Sequence, residues 1–273
     1  GGTRVFMETS GTDNTYLYMA IVMAEGEINS IEEIRVDDKA VTFASSLSDG
    51  TEVEVGSGDS NFYKDSESLI KIQPFFGTDG QSASSLLSTL SSWGSNHRLR
   101  GLCYLALRFK WNQDAFTGIP KVQAKIKGKK VVTLASNLSE QTASFSTNPA
   151  FCLLDYLRNE RYGKGIATSE IDLQSFYDAS QVCVTQVTPY SGASNINIFD
   201  TNTVLDTSQK IIDNVRELLK GCRGYLPYTG GKYRLIIETT GSASITLTED
   251  DIIGGYNLSI PTKNERYNRV IVG

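Results

Sequence analysis

Residues 148–165 read NPAFCLLDYLRNERYGKG. Asn148 suits a helix N-cap, and Pro149 suits the first helical position, where its missing N–H costs nothing. Ala150, Leu153, Leu154 and Leu157 recur at i, i+3, i+4 and i+7, so one face of this helix is apolar and must be buried. Gly163 and Gly165 flank Lys164 and end the run with residues free to take positive φ. Arg161 and Tyr162 stand at the corner, and no other part of the chain supplies partners that would assemble a reactive site around them. The stretch therefore reads as a structural joint of Asn148, Pro149, Arg161, Tyr162, Gly163 and Gly165. Arg161 is expected to hold carbonyls or a carboxylate near the helix end, and Tyr162 to pack the corner.

Outward from this joint, the chain is 273 residues long, 40% hydrophobic and 21% charged, enough for one or two globular domains with a real core. No run approaches the roughly 20 apolar residues of a membrane-spanning helix. The chain opens Gly-Gly without methionine and stops inside an apparent strand, as a fragment of something longer would. Residues 1–96 carry 5 basic and 15 acidic side chains, whereas residues 97–130 carry 9 basic and 1 acidic. Lys121, Lys125, Lys127 and Lys129 alternate with Val122, Ala124 and Ile126, which describes the solvated face of a strand rather than a nucleic-acid surface.

Upstream, Tyr16–Met23 and Leu102–Trp111 are strands apolar enough to need cover on both faces. Residues 41–68, rich in Ser, Gly and Asp, suggest an expendable surface hairpin, and Gln81–Ser92 a short helix around Leu86, Leu87 and Leu90. Lys121–Ile126 and Lys130–Thr133 read as strands joined near Gly128, and Leu134–Thr147 as a linker. Downstream, helices are expected at about 149–159, 170–184 and 207–220. The last is capped by Asp206 with Gln209 in capping-box spacing, buries Ile211, Ile212, Val215, Leu218 and Leu219, and stops at Gly221. A glycine-turn hairpin follows over 224–238, then a short helix start at Thr248–Ile252 and strands at Tyr256–Ile260 and Tyr267–Val272. The fold class is thus α+β and β-rich: an antiparallel β-barrel or sandwich domain over 1–140, then a helix-containing α+β domain over 141–273.

Chemistry finds little support. His97 is the sole histidine, and its neighbours Asn96, Arg98 and Arg100 do not make a base beside a carboxylate. Cys103, Cys152, Cys183 and Cys222 are widely spaced and sit in apolar segments, as buried free thiols do. The carboxylates Glu25, Glu27, Glu32, Glu33, Asp37 and Asp38 alternate with apolar residues or fill turns, without the pattern of a calcium loop. Gly163-Lys-Gly165 and Gly128-Lys-Lys130 lack phosphate-loop spacing, and Gly221-Cys-Arg-Gly224 follows a helix instead of opening one. No catalytic residue, metal or cofactor is expected.

Four separated signatures resemble one family. They are His97 with Gly101 before a core strand; Phe116, Gly118-Ile119-Pro120 and Lys127-Gly-Lys-Lys-Val131; the Asn148–Gly165 stretch; and the helix-then-hairpin unit ending in Gly230-Gly-Lys-Tyr-Arg-Leu235. Together they resemble the tail-hub (tip attachment, protein J-like) proteins of long-tailed bacteriophages and prophages. The resemblance implies a non-enzymatic virion protein at the distal tail tip. It implies a homotrimer that closes the tail tube, contacts the distal tail protein, other tail-tip proteins and the C-terminal region of the tape measure protein, supports host attachment, and later lets DNA pass. An acidic lumen lined by residues 1–96 would keep DNA from sticking. The C-terminal fibre and fibronectin-like modules of the family are missing here. The competing expectations are a tail-associated cell-wall hydrolase and a bacterial surface adhesion module.

Overall fold

The apolar runs at Tyr16 and Leu102 become neighbouring strands inside one sheet. The computed structural model describes residues 2–239, 245–251 and 253–255. Its first strands are β1 (Thr3–Ser10), β2 (Tyr16–Glu25), β3 (Ile28–Val36), β4 (Lys39–Ala40), β5 (Val53–Glu54), β6 (Tyr63–Lys64), β7 (Glu67–Ser68), β8 (Ile70–Phe76), β9 (Leu102–Lys110), β10 (Val122–Val131) and β11 (Ser144–Phe145). Then come α1 (Pro149–Arg158), α2 (Leu173–Cys183), β12 (Gln186–Val187), β13 (Ile196–Asn197) and α3 (Ile211–Lys220). The short strands β14 (Gly224–Tyr225), β15 (Tyr228–Thr229), β16 (Lys232–Tyr233) and β17 (Ile236–Ile237) follow. The protein is β-rich α+β, as its sequence pattern indicates. It divides into two compact units, Gly1–Ile237 and Glu238–Gly273.

In the first unit two antiparallel sheets, β1-β2-β9-β8-β5 and β11-β10-β3-β4, enclose one apolar core. Met19 and Ile21 of β2, Ile28 and Ile34 of β3, Ile72 of β8 and Leu107 of β9 meet there. The alternate residues Tyr18, Ala20, Tyr104 and Ala106 lie on the opposite face, under Leu86, Leu87, Leu90 and Trp93. Cover on both faces is why β2 and β9 are apolar nearly throughout. The expected helix over Gln81–Ser92 contracts to one 3-10 turn, Leu87–Thr89. Its leucines are buried, but Ser84 Oγ accepts from Leu87 N (3.2 Å) and donates to Gln73 Oε1 (2.6 Å). Such local side-chain bonds compete with helix extension.

Residues 41–68 do more than form an expendable hairpin. Val41, Val53, Val55 and Phe62 are buried in the first core, and Asp59 accepts from Asn61 N, Phe62 N and Thr42 N. The two strands expected on either side of Gly128 are one continuous strand, β10, paired with β3 from Val122↔Val36 to Lys129↔Ile28. Residues 134–147, expected as a linker, contribute β11, which pairs Phe145 with Lys130.

A second core gathers Leu153, Leu154 and Leu157 of α1, Phe176 and Ala179 of α2, Val215 and Leu218 of α3, and Ile237 of β17. A 3-10 turn, Thr168–Glu170, precedes α2, which Asp172 caps through Ser175 N. The expected start of α3 is four residues early. Asp206 instead forms a turn with Ser208 N (2.8 Å), and the helix begins at Ile211. Ile211 and Ile212 are consequently exposed, while Asn214 is buried and donates to Tyr156 OH (3.0 Å) and Asp206 O (2.9 Å). Gly221 does follow the helix, but in right-handed conformation. Between α2 and α3, β13 pairs with β12. The hairpin at 224–238 forms as expected: Tyr228↔Tyr233 and Tyr225↔Ile236 pair around Gly230 and Gly231, whose φ values are 61° and 75°.

In the second unit the expected helix start is a 3-10 turn, Glu249–Asp251, held by Thr248 N donating to Asp251 Oδ2 at 2.8 Å. The expected strands at 256–260 and 267–272 lie outside the described residues.

Phe116 anchors the first core, stacked on Phe62 at 5.8 Å and edge-on to Phe109 at 5.6 Å. Phe116→Ala is expected to lower the free energy of unfolding by about 3–5 kcal/mol, read as a shifted midpoint in chemical denaturation.

Candidate functional site

The candidate site is the corner at Asn148–Gly165, built from the helix outward. Asn148 Oδ1 accepts from Ala150 N at 3.0 Å and so caps α1, with Pro149 inside the first turn. Its Nδ2 donates to Ser180 O at 3.0 Å, which ties the start of α1 to the end of α2. Ala150, Leu153, Leu154 and Leu157 are all buried, so the apolar face packs as its spacing requires.

At the other end the chain folds back onto the helix. Lys164 N donates to Tyr156 O (3.1 Å), Ile166 N to Leu157 O (2.8 Å) and Gly165 N to Asn159 O (3.0 Å). These bonds satisfy carbonyls that a helix C-terminus leaves without intrahelical partners. Asn159 Oδ1 shapes the turn by accepting from Arg161 N (2.9 Å) and Tyr162 N (3.1 Å). Sequence reasoning missed Asn159, although an asparagine just before a polar corner is the signal for such a turn. Gly165 takes the expected positive φ, 68°, but Gly163 does not. Gly163 is glycine for a different reason: a Cβ there would stand 1.8 Å from Tyr156 O.

Arg161 and Tyr162 both find polar partners from the β sandwich. Arg161 Nε pairs with Glu25 at the end of β2. Tyr162 OH donates to Asp155 Oδ2 and accepts from Lys129 Nζ, which also lies 4.2 Å from the Tyr162 ring centroid. Burial, followed by the hydrogen bond and charge of Asp155, raises the Tyr162 phenol above its ordinary range, so it remains a donor. Lys129 thus departs from the solvated face expected of it, turned under Tyr162 while Lys125 and Lys127 stay exposed. Glu25 and Lys129 were missed as partners because they are distant in sequence and resemble ordinary turn and strand residues, and Asp155, 7 residues before Tyr162, because it resembles an ordinary helix-surface residue.

The other candidates fall into structural roles. Glu32 pairs with Lys127 (2.9 Å) and Lys125 (3.3 Å), Glu27 with Lys130, and Glu33 with Arg35. Hydrogen bonds from Lys127 and then Lys125 hold the Glu32 carboxyl below its usual range. Glu54 pairs with Lys71 (2.9 Å), and Glu67 with Lys110. Seven of the fifteen carboxylates of residues 1–96, Glu25, Glu27, Glu32, Glu33, Glu52, Glu54 and Glu67, thus pair with cations among the described residues. His97 Nδ1 accepts from Gly94 N at 2.8 Å, and its ring lies 5.1 Å from that of Trp93. Among the described residues no three potential ligands cluster as a metal would need, and no helix is long and apolar enough to cross a membrane. Two surface depressions flank residues 80–83; the first is lined by Trp93 and Arg98, and the second by Asp49 and Gln73. Neither brings two carboxylates together.

No protein-family model matches the chain. It is 25% identical over 323 aligned residues to baseplate hub protein pb3 of Escherichia phage T5. What the chain is similar to is a phage baseplate hub protein. The alignment covers 98% of this chain but 34% of pb3, so the chain spans about a third of that relative's length. The similarity supports the tail or baseplate hub grouping to which the four signatures pointed, at the level of a baseplate hub and not of the protein J-like subgroup.

Gly163→Val forces a side chain against Tyr156 O. It is expected to destabilise the chain by about 1–3 kcal/mol or more, on the scale of overpacking, and to lower the melting temperature measured by circular dichroism. A second expectation concerns the thiols, which are free. Burial raises Cys103, Cys152 and Cys183 from 9.0 to about 12. The folded chain keeps these groups neutral where the unfolded chain ionises them. Their contribution to stability is complete below 9.0 and is lost as pH rises towards about 12. Denaturation midpoints should fall across that window, and iodoacetamide at neutral pH should label the unfolded chain much faster than the native one.

Proposed function

We propose that the chain is a structural piece of a phage tail hub, located in the virion at the distal tip. It acts there by shape and assembly rather than catalysis. The observation that carries this reading is the similarity to baseplate hub protein pb3 across 98% of the chain. The structure is compatible with a load-bearing part: a two-sheet sandwich and a three-helix layer held by a close-packed corner.

In this reading copies of the chain assemble as a homotrimer that closes the tail tube. The trimer contacts the distal tail protein, the other tip proteins and the end of the tape measure protein, supports host attachment, and rearranges for DNA passage. The residues Asn148, Pro149, Arg161, Tyr162, Gly163 and Gly165 serve as the joint that sets the helical layer against the sandwich. The support for that role is the contact of Arg161 with Glu25 and of Tyr162 with Lys129.

Antibody raised against the chain should decorate the distal tail tip of intact virions by electron microscopy, and light scattering at high protein concentration should report a trimer. Labelling of the capsid or of the host surface alone would reject the hub reading. Clearing of purified cell wall in a zymogram would reject the non-enzymatic one in favour of a hydrolase.

A further inference from the structure

The loop between β9 and β10 is pinned from inside yet leaves two large apolar side chains outside. Trp111 N donates to Thr15 O at 2.8 Å, Phe116 N to Asn112 O at 3.0 Å, and Lys121 N to Asp37 Oδ1 at 2.8 Å. Phe116 and Pro120 are buried, whereas Trp111 and Ile119 are 55% and 58% exposed. Neither core uses these two side chains. A loop already held in shape loses little freedom on binding, and tryptophan is prominent among the residues that dominate interface energetics.

The surrounding turns give this loop an acidic rim. Tyr16 pairs with Lys110, and Val36 with Val122. Because β2 turns directly into β3 after Glu25, these residues share one end of the sandwich, away from the corner at Glu25 and Lys129. The turns at that end carry the exposed carboxylates Asp13, Asp37, Asp38, Asp65 and Asp114. Lys39, Lys64 and Lys121 stand among them, which leaves the carboxylates in excess.

A second surface on the chain has the opposite character. In the hairpin at 224–238, Tyr225 pairs with Ile236, so both side chains share one face. Gly224 and Ile237 form the next pair, and Ile237 is buried, so the Tyr225 face is the outer one. Tyr225, Tyr228 and Ile236 are each more than half exposed. Residues 218–237 hold four cations, Lys220, Arg223, Lys232 and Arg234, and no carboxylate.

We propose that the loop Trp111–Pro120 of one copy docks on the 224–238 hairpin of a second copy. Trp111 and Ile119 lie against Tyr225, Tyr228 and Ile236, and the acidic rim of one chain faces the cations of the other. Apolar anchors inside a charged, complementary rim are the ordinary anatomy of a specific interface. The two surfaces differ, so the contact is heterologous, and repeated around an axis it closes into a ring. The interface rests on the homotrimer reading above and names the surfaces that would build it.

The test measures the full chain by light scattering across a concentration series, beside its denaturation midpoint. The wild type should be trimeric at high concentration. Trp111→Ala should raise the concentration of half-assembly by at least about tenfold, the scale of a truncated interface anchor, with an unchanged midpoint. Ile119→Ser serves the same purpose if the tryptophan variant folds poorly. Asp114→Lys and Lys232→Glu should each weaken assembly, and the chain carrying both should recover it, because the exchanged charges again oppose each other. A monomeric wild type overturns the interface together with the homotrimer reading. A wild-type trimer that Trp111→Ala and Ile119→Ser leave intact, or whose two charge reversals do not compensate, overturns the interface alone.

Discussion

Strand β10 is the constraint on which the first unit depends. It pairs with β3 from Val122 to Lys129, with one irregularity between Lys125 and Ile126, and with β11 at Lys130 and Val131; its first residue is buried among the sheets, and its last is buried among the helices. A backbone ladder fixes its register, because a slip of one residue would exchange its buried and exposed sides. Through that register the position of Lys129 is set, and with it the partner available to Tyr162. The corner after α1 is therefore shaped by a strand residue 33 positions before Tyr162.

The corner itself is governed by a steric contact. Lys164 N reaches Tyr156 O, and the chain passes so near that Gly163 has no room for a side chain. Asn159 and Gly165 make the reversal possible, one by accepting two backbone donors and the other by adopting positive φ. The ion pairs around the corner are individually weak because they are exposed.

Several features were legible in the sequence because they depend on local periodicity. The cap at Asn148, the buried face of α1, the strands at Tyr16 and Leu102 and the glycine hairpin at 230–231 all formed as their spacing indicates. Other features failed where distant contacts overrode local preference. Ser84 bonded Gln73 and held its segment to a single 3-10 turn. Phe62 left a polar, glycine-rich region to fill the first core. Asp206 capped a turn instead of α3, so Ile211 and Ile212 remained exposed and Asn214 went inside. The segregation of charge also acquired its meaning only in three dimensions: the acidic β3 lies beside the basic β10, and opposite charges meet across the strands.

By itself the sequence determined the class of fold, the capped helix at Asn148 and the order of signatures that resembles phage hub proteins. Those depend on residue type and spacing along the chain, and hydrophobic periodicity expresses both directly. The tertiary structure decided why Gly163 must be glycine, which carboxylate meets Arg161 and which lysine meets Tyr162. Each of those is a contact between segments brought together only by packing, and no local pattern encodes a distance between them.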